Sequence, residues 1–152
     1  MGSITEAIAQ FDELLGRQRD NGLNVRLLQP GELLPSNIAH GLPADLLLPQ
    51  PDWCWLVERA NQPLALLLAA PAQNVAYLMR LAAAENIPPA SLVYLFRAAL
   101  ADMLARGYSA YLAHLDLRTK EGASLLRIAK RAGVKVKSEC VLIGGSTNIG
   151  RW

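Results

Sequence analysis

The 152-residue sequence predicts a single α/β domain built on a mixed, mostly antiparallel sheet with helices packed against it. Two observations carry this. Three strand-like runs follow one another across short turns, as in an antiparallel meander. Then strand-like and helix-like runs alternate, and the helix-like runs end in glycine. The length suits one domain, and the composition is 52% hydrophobic and 18% charged, which excludes a disordered chain.

The elements can be justified in order. Ile4, Ile8, Phe11, Leu14 and Leu15 recur at helical spacing, so an N-terminal helix is expected within residues 1–22, stopped by Asp20-Asn21-Gly22. The run "LNVRLL" from Leu23 alternates and reads as a strand. Residues 29–50 are proline-rich and read as a long connection with one short helix near Pro35 to His40. Strands follow at "WCWLVER", "PLALLLAA" and "VAYLMRLAA", joined by turns at Ala60-Asn61-Gln62 and "PAQN". A helix from Ala90 to Arg106 stops at Gly107, a strand runs from Tyr108 to Leu117, and a helix from about Lys120 to Ala132 stops at Gly133. A last alternating strand, "VKVKSECVLIG", precedes a tail at 144–152. The strand–helix–strand unit from Val75 to Leu117 should be a parallel crossover.

The net charge of +2 gives no pull towards nucleic acid or a membrane, and the basic stretch Lys120 to Lys137 reads as a solvated helix face. Cys54 and Cys140 read as small buried hydrophobes, and the scattered His and Cys residues form no metal cluster. The longest apolar run is too short to span a bilayer, and the polar N-terminus is no signal peptide. A soluble, cytoplasmic protein is the expectation.

In α/β sheets, ligands collect outside the carboxyl ends of strands where neighbours diverge. That places Ala82, Ala83, Ala84, His114 and Asp116 at the expected site. His114 and Asp116 lie two apart on one expected strand and so share a face with Tyr108, Ala110 and Leu112. They read as a base and its orienting carboxylate, against a competing reading as a core histidine and a turn cap. Glu85, after the central strand, is the next candidate base. Tyr77, Met79 and Leu81 alternate on the central strand as a substrate-facing wall or as core. Trp53 and Trp55 share a face and either pack a helix or line a groove. His40 is a lone loop histidine.

The stretch "YLMRLAAAENIPPASLVYLF" resembles the GCN5-related N-acetyltransferase (GNAT) superfamily. The resemblance covers Leu23 to about Ile143 and lies in element order and register. In that family the central strand ends in Leu-Ala-Val. A loop Arg-Gly-x-Gly-x-Gly (or Gln for Arg) follows, and its amides bind the pyrophosphate of acetyl-coenzyme A. Here Leu81-Ala82-Ala83 match the strand end, while Pro88 falls on the arginine and Pro89, Ser91 and Val93 on the glycines. The later helix normally carries Leu-Tyr and then Gly-Phe, the tyrosine often protonating the leaving thiolate. Here Ile128, Ala129, Gly133 and Val134 stand at those places.

The resemblance implies an acyl-coenzyme A donor, acetyl or longer, and an amine acceptor. The donor's pantetheine arm would lie along the strand backbone near Leu81 and Ala83. Amides at Ala90, Ser91 and Leu92 would be left for the pyrophosphate, with Arg97 within reach. Prolines donate no N–H, and each charge-assisted bond is worth about 1.5–3 kcal/mol. Losing two should weaken donor binding by on the order of a hundredfold. Weakened or absent coenzyme A binding is therefore expected. Two functions stay open: an N-acyltransferase with a degenerate donor loop, or a non-catalytic member of the fold used for partner binding or homodimerisation.

Overall fold

The computed structural model describes residues 2–16, 22–39 and 53–135. The expected last strand beyond Lys135, the tail, His40 and Cys140 lie outside the described residues.

Ser3 caps the first helix, its hydroxyl oxygen accepting from the Glu6 N–H at 3.3 Å, and α1 runs Ile4–Leu15. It ends at Gly16, where φ is 48°, earlier than the expected stop at 20–22. Residues Gly2–Ser3 form a short strand, β1, that the sequence pattern does not suggest. Next come β2 (Leu23–Leu27) and α2 (Ser36–Ala39), the latter within the expected short helix. The meander is β3 (Cys54–Arg59), β4 (Gln62–Ala72) and β5 (Val75–Ala83). The β3–β4 loop is Ala60-Asn61, with φ of 49° and 63°, the left-handed pair that a two-residue hairpin requires. Then follow α3 (Pro89–Ala105), β6 (Ala110–Ala113) and α4 (Lys120–Ala132). Gly133 closes α4 at φ 90°.

The sheet order is β1-β6-β5-β4-β3-β2. β5 and β6 are parallel, as the crossover predicts; the other pairs are antiparallel. One face packs under α1, α3 and α4, burying Trp55, Val57, Leu67, Leu78, Phe96 and Leu100 among others. The opposite face holds a smaller cluster of Leu28, Ile38, Cys54, Leu56, Leu66 and Leu68, together with Ala82. Burial there pushes the Cys54 thiol up to about 12, so it is a small hydrophobe, as expected.

Trp53 and Trp55 pack a helix. The Trp55 Nε1–H donates to the Asp102 carboxylate of α3 at 2.9 Å, and the Arg106 guanidinium lies 5.0 Å from the Trp53 ring and 5.4 Å from that of Trp55. Both indoles are thereby committed to holding the C-terminal end of α3 on β3.

Candidate functional site

The site is made by a mismatch in strand length. β6 pairs with β5 only from Val75↔Ala110 to Leu78↔Ala113, and the His114 N–H donates to the Leu78 carbonyl at 2.9 Å. β5 continues to Ala83 on its β4 side. From Met79 to Ala83 it therefore has no strand on its β6 side among the described residues. The opening lies outside the carboxyl end of β6, the place where sheet topology puts ligands.

A β-bulge modifies this segment. Ala69 pairs with Leu78 and Leu68 with Arg80, leaving Met79 as the extra residue. The expected alternation of Tyr77, Met79 and Leu81 on one face is therefore broken. Leu81 and Ala83 pack towards the helix-covered core, with Leu78, while Ala82 joins the opposite cluster.

The chain beyond β6 turns instead of continuing as strand to Leu117. Asp116 makes the turn: its side-chain oxygen accepts from the Arg118 N–H at 3.0 Å, and its carbonyl accepts from the Thr119 N–H at 3.1 Å and hydroxyl at 2.7 Å. Thr119 then caps α4, accepting from the Gly122 N–H at 3.0 Å. Gly122 sits so close to this turn that an added Cβ would collide with the Asp116 carbonyl oxygen. The α4 start is thus seated directly on the turn.

Arg80, His114, Asp116, Thr119, Glu121 and Gly122 line the resulting cleft, with Met79 and Leu81 of β5 beneath them. Its enclosed part is about 20 Å³, room for one water molecule, and it widens to the surface. His114 and Asp116 do meet in one cleft, but not as the expected pair. The Asp116 carboxylate is held by Arg118, at 2.9 Å from Nε and 3.0 Å from the terminal nitrogen, and it makes no bond to His114. The imidazole of His114 and the guanidinium of Arg80 carry no hydrogen bond among the described residues. Sequence reasoning misses Arg80, which follows a bulge that the sequence does not signal.

The Arg118 guanidinium holds the Asp116 carboxyl down to about 2, below its ordinary 3.8. A folded value below the unfolded one stabilises the fold above about pH 4, and that contribution is lost as pH falls towards 2. Arg118 is exposed, so the effect is small. Arg118→Gln should lower the urea midpoint slightly at neutral pH, and the difference from the native protein should shrink between about pH 4 and pH 2. A difference independent of pH would contradict the pairing.

The strand–helix corner tests the fit to a coenzyme A pyrophosphate. Pro88 is the N-cap of α3, no side chain caps the helix, and Pro89 opens it. Neither proline has an N–H. The Ser91 N–H donates to the Pro88 carbonyl at 3.0 Å, and its buried hydroxyl donates to the same oxygen. Leu92 is the first residue placed to close a regular i→i−4 bond, again onto Pro88. Of the three amides expected to be free, that of Ser91 is therefore spent. Arg97 is also engaged elsewhere, its Nε donating to the Asp12 carboxylate of α1 at 2.6 Å. The corner does not fit a pyrophosphate grip. From Met79 to Ala83 the β6 side of β5 pairs with no strand among the described residues, which leaves backbone groups there for the amides of an extended ligand.

Glu85, the other candidate base, is not with His114 and Asp116. It is exposed on the turn after β5, in a separate open groove with Asn37 of α2, Gln62, Pro63, Leu64 and Ala84. The Ala84 N–H donates to the Leu64 carbonyl at 2.8 Å, which keeps this end of β5 on β4 while β6 turns away.

No family profile and no curated protein matches the sequence. Solved structures do match in fold. A point mutant of the Thermus thermophilus protein TTHA1254 superposes with a TM-score of 0.56 at 18% identity, over 80% of this chain and 95% of that one. The aminoglycoside acetyltransferase meta-AAC0020, from an uncultured soil metagenomic sample and solved with trehalose, gives 0.53 at 14% identity, over 84% and 97%. Aminoglycoside N-acetyltransferase AAC(6')-Iy, solved with CoA, gives 0.53 at 11% identity, also over 84% and 97%. Among the described residues, no helix is long and apolar enough to cross a membrane, and no group of His, Cys, Asp and Glu could hold a metal ion. The six-stranded mixed sheet with its flanking helices is a GNAT-like α/β fold.

Proposed function

We propose that this protein is an acyl-coenzyme A-dependent N-acyltransferase whose donor is held by its pantetheine arm and only weakly by its pyrophosphate. The observation that carries the reading is the β5 edge from Met79 to Ala83, unpaired among the described residues on the side where His114 sits. When bound, the donor supplies an acyl group activated as a thioester.

The rest is the work of this chain. Backbone groups of Leu81 and Ala83 orient the arm along the strand. His114 would receive the proton that the acceptor amine loses as its C–N bond forms and the thioester C–S bond breaks, and would pass it to the departing thiolate; among the described residues its imidazole carries no other hydrogen bond. Asp116 acts on the site through the turn and the α4 start, as its carboxylate is taken by Arg118. Glu85 faces the separate groove and is the better placed of the three to meet the distal part of an acceptor.

The degenerate corner favours a second reading, a non-catalytic protein of this fold that binds a partner or a second copy of itself. A thermal shift with acetyl-coenzyme A and longer acyl-coenzyme A separates the two. A ligand at a hundred times its Kd stabilises by about 2.7 kcal/mol. No shift up to millimolar donor would overturn the acyltransferase reading. Where turnover is found, His114→Ala should lower kcat by roughly 10²–10⁴-fold with little change in donor affinity.

A further inference from the structure

The cleft at the β5–β6 opening contains more charge than proton transfer needs. Arg80 comes from the bulged segment of β5, half-buried, with no hydrogen bond among the described residues. His114 faces the same space from the other strand, also without one. Asp116, an anion of the same cleft, spends its carboxylate on Arg118 through the two bonds already described. Arg80 acts on Asp116 only through space. A guanidinium with its planar donors unspent among the described residues suits a carboxylate, which it can bind through two parallel bonds. The cleft also holds the opposite charge. Glu121, in the first turn of α4, lines it and makes no ion pair among the described residues. A simple anion would be repelled there, and a simple amine would meet Arg80.

We infer that the cleft takes a zwitterion: the acceptor is a small amino acid, its carboxylate on Arg80 and its ammonium towards Glu121 and His114. This names the acceptor of the proposed reaction and so rests on that reading. It explains why Arg80 and Glu121 face one small cleft without pairing to each other. The enclosed part is too small for more than a water molecule, so the charged end of the ligand sits at the mouth and its side chain extends outwards.

The test is binding of the common free L-amino acids to the full chain at millimolar concentration, by thermal shift and without any acyl-coenzyme A. Each amino acid that shifts the protein is repeated as its carboxamide and as its N-acetyl derivative. The expected result is a shift with at least one free amino acid that falls in both derivatives. Arg80→Gln should weaken it by roughly ten- to a hundredfold, the worth of a charge-assisted pair, while Arg80→Lys retains part of it. Circular dichroism of both variants establishes that they are folded. No shift with any amino acid, or equal shifts with acid and carboxamide, would overturn the inference. The two readings fail separately. A shift with acetyl-coenzyme A but none with amino acids overturns only the acceptor assignment. A shift with amino acids alone overturns the acyltransferase and leaves a zwitterion-binding site.

Discussion

Replacing Pro88 with Arg, and Pro89 and Ser91 with Gly, should tighten acetyl-coenzyme A binding by on the order of a hundredfold. The change supplies N–H groups at positions 88 and 89, where proline has none. It also removes the Ser91 hydroxyl that now bonds the Pro88 carbonyl. Those amides would sit at the first turn of α3, a 17-residue helix, where orphan donors and the helix dipole favour a phosphate. The same change frees the unfolded chain from two prolines, which should cost about 1 kcal/mol of stability. Tighter donor binding together with a lower Tm is a pairing that general stabilisation would not produce. Calorimetric titration of both proteins reads it, and unchanged affinity would show that the corner is not aligned with the family's donor loop.

Phe96→Ala should be the most damaging single truncation near the site. Phe96 is buried, with its ring centroid 5.5 Å from Phe11 of α1 and 6.1 Å from Tyr111 of β6, both edge-on. It therefore joins α1 and α3 to the strand whose early end opens the cleft. Truncating a buried phenylalanine costs about 3–5 kcal/mol, and the lost edge-on contacts are part of that. For a chain of this size, Tm should fall by roughly 6–20 °C. Circular dichroism melting measures it. A fall of only a degree or two would mean that α3 is not seated on this contact.

Punctuation and pattern are what the sequence makes legible. Gly107 and Gly133 mark the ends of α3 and α4, and both take positive φ. Ala60-Asn61 is a turn, and the strand–helix–strand unit is parallel. Each of these depends on neighbouring residues only, or on a rule of connection. What stays hidden depends on registry and on partners distant in sequence. The bulge at Met79 is visible only when β4 lies beside β5, and Arg80, which lines the cleft, follows it directly. A period of two runs straight through it and sets Tyr77, Met79 and Leu81 on one face. The same period carries Asp116 onto a strand face, yet β6 ends at Ala113 and the carboxylate makes the turn that starts α4. Arg97 is free to reach a phosphate only until α1 brings Asp12 to it, 85 positions away in sequence. Ser91 loses its amide to a carbonyl three residues back, a 3₁₀-type bond that composition does not announce.

The proposed weak hold on the pyrophosphate and the proposed hold on the arm along β5 together make a direct test. Affinities for acetyl-coenzyme A and for acetyl-pantetheine, which lacks the nucleotide and its phosphates, can be compared by calorimetric titration. If the arm carries the binding, the two should agree within about tenfold, some 1.4 kcal/mol. Acetyl-coenzyme A binding a hundredfold or more tighter than acetyl-pantetheine, or neither binding at all, would contradict the account.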